Sequence, residues 1–258
     1  MYDFEFVKPS TVDEAVAALS SEDAQALGGG QTLLPTMKQR LASPTKLVSL
    51  TGIAGMAGVS EDGGTVTIGG STTHADVAAA SLGAVSALAG NIGDPAVRNR
   101  GTIGGSLANN DPSADYPAAV LALGATIVTN TREIAADDFF DGMFTTTLNE
   151  GEIITAVKFT PPSAANYQKF EQPASRFALT GVFVAKTADG VRVAVTGASE
   201  EGVYRWAAAE EALNASFSAD ALDGLSISAD GMIADLHGSA AYRANLVKVL
   251  TQRAVVAC

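Results

Sequence analysis

Cysteine is nearly absent from the chain: a single thiol, Cys258, stands at its last position. One thiol forms no internal disulfide and cannot by itself ligate an iron–sulfur cluster. Histidine is almost as scarce, with only His74 and His237, so no zinc or iron site is expected. Basic residues are outnumbered, 16 against 28 acidic, for a formal net charge of −12. With no basic stripe and no interleaved aromatics, that balance excludes a nucleic-acid surface, which needs clustered Lys and Arg to meet phosphates. No apolar run approaches the ~20 residues that span a bilayer. The opening Met1-Tyr2-Asp3-Phe4-Glu5 has neither a positive n-region nor an apolar h-region, so a cytoplasmic protein is expected. Any redox chemistry must then be organic, or be supplied by another chain.

What is present is apolar residues, at 47%, and 26 glycines in 258 residues. That length allows two modest domains or one large one. Tyr2–Val7 suits an edge strand, and Thr11 and Glu14 have capping-box spacing for a helix to Leu19. Ala24–Leu27 reads as a short buried strand, followed by a helical pattern through Leu33, Leu34, Met37 and Leu41 and a strand at Lys46–Leu50. Next come a strand at Thr65–Ile68 and helices at Thr73–Ala80 and Leu82–Gly90. Asn91–Asp115 has little periodicity, but its embedded Ile, Val and Leu favour order, and such a stretch is usually functional. Beyond it lie a helix at Tyr116–Leu123 and strands at Ala125–Thr129 and Thr155–Thr160. Pro161-Pro162-Ser163-Ala164-Ala165 is the best linker candidate. The remainder reads as a separate α+β domain: a hairpin around Asp189-Gly190, then helices at Trp206–Leu213, Ala219–Leu225 and Ala240–Val255.

Two glycine clusters fall inside otherwise ordered segments; a third pair, Gly63-Gly64, looks like an ordinary turn. The first is Gly28-Gly29-Gly30-Gln31-Thr32-Leu33-Leu34-Pro35. Consecutive glycines permit positive φ and let successive amides turn toward one anionic oxygen as a nest. A tight strand-to-helix turn without a ligand is the competing reading. Neither the dinucleotide fingerprint nor a P-loop lysine is present. The second cluster lies in Asn91–Asp115, with glycines at Gly101, Gly104 and Gly105, hydroxyls at Thr102 and Ser106, and a carboxylate at Asp115. Asp115 suits a sugar or ribityl hydroxyl, or the N-cap of the next helix. Arg98 and Arg100 suit phosphate or surface ion pairs. Together the two clusters suit a pyrophosphate clamped from two sides. Four hydrogen bonds to charged groups contribute about 6–12 kcal/mol before ordering losses.

Gly28–Pro35, the ungapped run from Asp94 to Asp115, Tyr167–Gly181 and Gly238–Arg243 together resemble the FAD-binding medium subunit of carbon monoxide dehydrogenase-type molybdenum hydroxylases. The resemblance extends over nearly the whole chain. It implies an α+β fold: a two-lobed FAD-binding domain of the vanillyl-alcohol-oxidase (PCMH) type over residues 1–160, with lobes of about 1–55 and 56–160. A small α/β carboxy-terminal domain of the carbon monoxide dehydrogenase flavoprotein type would occupy 166–258. It implies cofactor contacts at Leu27, Gly28, Gly29, Gly30, Gln31, Thr32, Leu33 and Leu34 in the first loop. In the second they fall at Thr102, Ile103, Gly104, Gly105 and Ser106, with Ile103 on the adenine side and Asp115 on a hydroxyl. Phe177 falls near the flavin ring, with Lys169 in the same segment; core packing is the alternative for Phe177. Some proteins of the wider fold attach FAD through a histidine after the Gly-Gly. Here that place is Gln31, so noncovalent FAD is expected, and His74 reads as a satisfied polar residue.

The same resemblance implies partners: a large molybdopterin-binding subunit and a small subunit with two [2Fe–2S] clusters, in a dimer of heterotrimers. Electrons would pass from those clusters through FAD to a quinone or another external acceptor. A peripheral position on the inner face of the membrane is also open, though not a transmembrane one. No residue is assigned as a catalytic acid or base, and no metal site to this chain. The alternatives are a non-catalytic nucleotide-binding module holding ADP or CoA, a scaffold in which both clusters are turns, and a self-contained flavin oxidase. Carbon monoxide, purines, N-heterocycles and aldehydes all remain open as substrates of the complex.

Overall fold

The computed structural model describes residues 1–258. Three sheets follow one another along the chain. The first is built from β1 (Glu5–Val7), α1 (Val12–Leu19), β2 (Ala24–Leu27), α2 (Leu33–Lys38) and β3 (Lys46–Ser49). Its strands run parallel in the order β1-β3-β2, which puts the strand begun at Glu5 at an edge, as its sequence suggests. Thr11 caps α1 by accepting the Glu14 amide, and the Glu14 carboxylate accepts the amide and hydroxyl of Ser10. The capping box is thus displaced by one residue. β2 is also an edge strand, and Gln25 and Ala26 are exposed rather than buried, because its free side borders a cleft.

The second unit contains β4 (Val59–Asp62), β5 (Thr65–Gly69), α3 (His74–Ala79), α4 (Ala84–Gly90), α5 (Pro95–Arg98), α6 (Ile103–Asn109), α7 (Tyr116–Ala122), β6 (Thr126–Thr129), β7 (Glu133–Ala135) and β8 (Ile154–Phe159). Its sheet is antiparallel, in the order β4-β5-β8-β6-β7. Gly63 and Gly64, both at positive φ, close the β4–β5 hairpin as an ordinary turn. The stretch read as aperiodic holds two short helices. Asp94 caps α5 by accepting the Val97 amide, and Thr102 caps α6 by accepting the Gly105 amide. Gly104-Gly105 therefore lies in the first turn of a helix and is not a loop. Arg98 forms no surface ion pair; its guanidinium donates to the carbonyls of Ile92 and Gly93 and closes their turn.

The third unit has β9 (Ala164–Glu171), β10 (Ala178–Thr187), β11 (Gly190–Ser199) and β12 (Gly202–Arg205), an antiparallel sheet in the order β12-β11-β10-β9, with α8 (Ala207–Ala215) and α9 (Ala240–Ala257). The segment expected to be a helix at 219–225 is a single 3₁₀ turn, Ala219–Leu222. The expected linker is shorter than its composition suggests, since Ala164 and Ala165 already pair with Lys186 and Ala185. α9 covers β9 and β10, and its Arg243 donates to the carbonyls of Leu179 and Gly197 and to Asp235. The second and third sheets share one hydrophobic core, which joins Ile68, Ile127 and Tyr116 to Tyr167, Phe183 and Ala194. Arg192 ties them further, from β11 to the Leu121 carbonyl and the Asp137 carboxylate.

Backbone contact fixes where the second sheet meets α6. The amides of Ile103 and Gly104 donate to the carbonyls of Thr72 and Gly70, and Thr73 bridges Thr102. At Gly70 a Cβ would overlap the Ile154 carbonyl oxygen. Gly70→Ala is expected to destabilise the protein by ~1–3 kcal/mol, the usual range for overpacking. Gly90→Ala is the matched control: at the end of α4 its Cβ would meet nothing nearer than the Ala78 Cβ at 3.9 Å. That change should be neutral or stabilising by up to ~1 kcal/mol. Urea titration of both variants measures the difference.

Candidate functional site

A cleft of about 690 Å³ runs between the first and second units and reaches the third, a volume in the range of small-molecule and cofactor sites, ~300–1,000 Å³. Its walls include Leu27 to Leu33 from the first sheet, Thr102, Gly104, Gly105 and Ser106 from the start of α6, Asp115, and Phe177 from the β9–β10 turn. Three of the expected contacts stand outside it. Ile103 is 1% exposed and points into the shared core. Leu34 folds back over Gly30. Lys169 is buried beneath the wall, where its ammonium donates to Asp115 and to the Asn91 carbonyl.

The two glycine clusters differ in what their amides do. The N–H groups of Gly28, Gly29, Gly30, Gln31 and Thr32 donate to no protein acceptor. Gly30 turns with φ +71°, which a Cβ would strain. This is a row of free donors on a cleft wall, the form of an anion nest. Along α6 every early amide is engaged: Ile103 on Thr72, Gly104 on Gly70, Gly105 on the Thr102 hydroxyl and Ser106 on the Thr102 carbonyl. The second cluster therefore offers hydroxyls and bare Cα atoms rather than amides. The Thr102 hydroxyl accepts from Gly105 and keeps its own proton to donate.

The clusters also pack on each other. A Cβ on Gly29 would overlap the Arg100 carbonyl oxygen, and a Cβ on the adjoining Gly101 would lie 2.5 Å from His74 Nε2. His74 is 5% exposed and lines the cleft, and its buried Nδ1 has no hydrogen-bond partner. Its ring centroid lies 5.3 Å from that of Tyr116, whose buried hydroxyl is also unpartnered. The expectation of a satisfied histidine is thus corrected. Burial first, and then the Arg98 charge, push its pKa down from 6.5 to about 4, so the ring is neutral at pH 7.

Asp115 stands at the N-cap position of α7 but makes no capping bond. Its carboxylate reaches instead across to the third sheet, where Tyr167 Oη donates at 2.5 Å and Lys169 Nζ lies 3.0 Å away. Burial raises the Asp115 pKa, against the opposing pull of Lys169 and Tyr167. Burial and then the Asp115 charge hold the Tyr167 phenol far above its ordinary value. A ligand hydroxyl that met Asp115 would have to join this triad. Phe177 is half exposed on the cleft, which rules out its alternative of core packing. Glu152, also on the wall, is held by Arg132, Thr129, Thr131 and the Asn149 amide, and its pKa is well below the usual carboxylate range, chiefly through Arg132.

Several wall residues were not anticipated, among them Gly70, Ser71, His74 and Arg176. Gly69-Gly70 was a readable signal, a further Gly-Gly directly after a strand. The others depend on contacts between segments distant in sequence.

A family model described as the FAD binding domain in molybdopterin dehydrogenase matches residues 2–162. The nicotine 6-hydroxylase medium subunit of Paenarthrobacter nicotinovorans is 36% identical, over 97% of this chain and 95% of its own. The carbon monoxide dehydrogenase medium chain of Hydrogenophaga pseudoflava is 33% identical, over 98% and 96%. A structure of reconstituted CO dehydrogenase from Oligotropha carboxidovorans superposes with a TM-score of 0.90 at 30% identity, over 99% of this chain and 97% of that one.

The burial of His74 has a consequence in solution. Unfolding restores its pKa from about 4 to the ordinary 6.5, so the unfolded chain takes up a proton that the folded chain refuses. Stability should fall as pH drops from ~6.5 toward 4, by up to about 3 kcal/mol from this group. His74→Gln should flatten that part of the profile, as read by urea titration between pH 7 and pH 4.

Proposed function

The chain belongs to the FAD-binding family of molybdopterin dehydrogenases, as a medium subunit of the carbon monoxide dehydrogenase type, and from this we propose that its cleft holds FAD noncovalently with the pyrophosphate on the free amides of Gly28–Thr32. It is an oxidoreductase component, and the molybdenum and iron–sulfur centres of such complexes lie in other subunits. The observation that carries the site assignment is the row of unpaired N–H groups on a cleft wall, since successive free amides on a concave surface form a ready site for an anionic oxygen. FAD, when bound, accepts electrons singly and releases them singly or in pairs.

The chain's own residues bind and orient. The Gly28–Thr32 amides meet anionic oxygens from one side, and the hydroxyls of Thr102 and Ser106 meet them from the other. Leu27 and Leu33 supply apolar wall. Gly105, exposed on the cleft, lets the ligand approach the α6 backbone, while Gly104 makes room for the backbone of Gly70. Phe177 offers an exposed aromatic face for the ring, and Lys169 with Tyr167 holds Asp115 in place behind the ribityl side. Gln31, where a histidine would be needed, leaves no covalent attachment by that route. We assign residues 1–160 to the FAD-binding domain and 166–258 to the carboxy-terminal domain.

We further propose the partners that this role requires. A small subunit with [2Fe–2S] clusters delivers electrons, a large molybdopterin subunit oxidises the substrate, and the heterotrimers pair as dimers in the cytoplasm. A quinone or another external acceptor takes the electrons. No helix is long and apolar enough to cross a membrane.

Gly105 gives a clean test. It is exposed on the cleft within α6, and a Cβ there meets only the Thr102 hydroxyl, at 3.0 Å. Gly105→Val should leave the ligand-free chain folded, with its melting temperature little changed. FAD affinity, measured by quenching of flavin fluorescence, should fall at least ~10-fold, or about 1.4 kcal/mol. A folded parent chain that takes up ADP or CoA but not FAD would sink the assignment in favour of a nucleotide-binding module.

A further inference from the structure

Arg176 is the one lysine or arginine among the residues that line the cleft. Its side chain is exposed and forms none of the protein's ion pairs. The acids on the same walls are already engaged: Asp115 by Lys169 and Tyr167, Glu152 by Arg132, and Asp111 by the amide of Ser113. The Arg176 charge is therefore left for whatever fills the cleft. In a chain of net charge −12, an unneutralised cation on a ligand wall is a feature to explain.

Its position is built. The turn between β9 and β10 is fixed by the Gln172 amide on the Phe177 carbonyl, at 2.9 Å, and by the Arg176 amide on the Gln172 carbonyl, at 2.8 Å. Arg176 itself has φ +60°, a left-handed conformation that costs a non-glycine residue about 1–2 kcal/mol. Such conformations concentrate where a ligand is met. The next residue, Phe177, presents a half-exposed ring to the cleft. The turn thus offers a flat apolar face with a cation beside it, which suits a planar ring that carries negative charge along one edge. The free amides that suit a pyrophosphate belong to the first sheet, whereas this turn comes from the third, which meets the cleft at Asp115.

We propose that Arg176 lies against the pyrimidine edge of the isoalloxazine ring stacked on Phe177 and raises the reduction potential of the bound flavin. This rests on the reading of the cleft as an FAD site. Reduction adds negative charge to that edge, and a guanidinium within a partly desolvated cleft favours the more negative form. The role is electrostatic positioning, with no proton or bond exchanged at Arg176.

The test uses the full chain loaded with FAD, as parent, Arg176→Gln and Arg176→Lys. The two-electron potential is read by equilibration with a redox dye, and FAD affinity by fluorescence at low and high salt. In Arg176→Gln the equilibrium should move toward oxidised flavin by ~10-fold, a potential about 30 mV more negative. Arg176→Lys should keep most of the parent value, and the FAD affinity of both variants should stay within ~3-fold of the parent. An unchanged potential with weakened, salt-sensitive FAD binding would overturn the inference and put the charge on the pyrophosphate. An unchanged potential with unchanged affinity would overturn it too and leave Arg176 facing only solvent. A folded parent chain that binds no FAD removes the proposed function, and this inference with it.

Discussion

Everything about the cleft depends on backbone pressed against backbone at a few glycines. Gly29 rests on the Arg100–Gly101 backbone, His74 packs against Gly101, and Gly104 rests on Gly70. In this layer the separation between chain segments leaves no room for a Cβ. It sets the distance between the first and second sheets, and so the width of the cleft. Dense packing transmits small displacements instead of absorbing them. A methyl group in the layer would therefore shift a whole wall.

The same layer separates the tasks of the two glycine clusters. The amides of α6 are turned inward to hold Thr72 and Gly70, so this cluster is a strut that offers its hydroxyls to the cleft. The first cluster rests on the strut through one face of Gly29 and leaves its amides free. Symmetry between the clusters, natural to assume from two runs of glycine, is absent from the hydrogen bonding. An anion held between them would meet amides on one side and hydroxyls on the other.

Much of this was legible in the sequence because the signals were local. The strand before Gly28, the Thr102 hydroxyl beside two glycines, the Asp189-Gly190 hairpin and the long final helix each announce themselves within a few residues. What was not legible lies in pairings between distant segments. β9 begins inside a proline-rich stretch and carries Gln168, Lys169 and Glu171; only its register with β10 makes it a strand. Asp115 looked like a helix cap because its neighbours in sequence suit one, yet its partners are Tyr167 and Lys169 on another sheet. Ile103 sits between exposed-looking small residues, but the first turn of α6 rotates it into the core. Local pattern gave the element and tertiary contact chose the face.

That tertiary contact also resolves an electrostatic difficulty. A chain of net charge −12 has Asp111, Asp115 and Glu152 on the walls of a cleft suited to an anionic group. Three unpaired carboxylates there would repel a pyrophosphate. Two of them are paired with cations, Asp115 with Lys169 beside the Tyr167 phenol and Glu152 with Arg132, and Asp111 accepts the Ser113 amide in the turn it closes. The third sheet grips the same rim through Thr196 and Gly197, which donate to the carbonyls of Pro112 and Ala114. Removing only Lys169 would leave a buried carboxylate without its cation, typically a loss of ~3–5 kcal/mol, and would turn that charge toward the cleft. The carboxy-terminal sheet therefore acts on the cleft in two ways, by lining it at Arg176 and Phe177 and by engaging the Asp115 carboxylate from behind the wall.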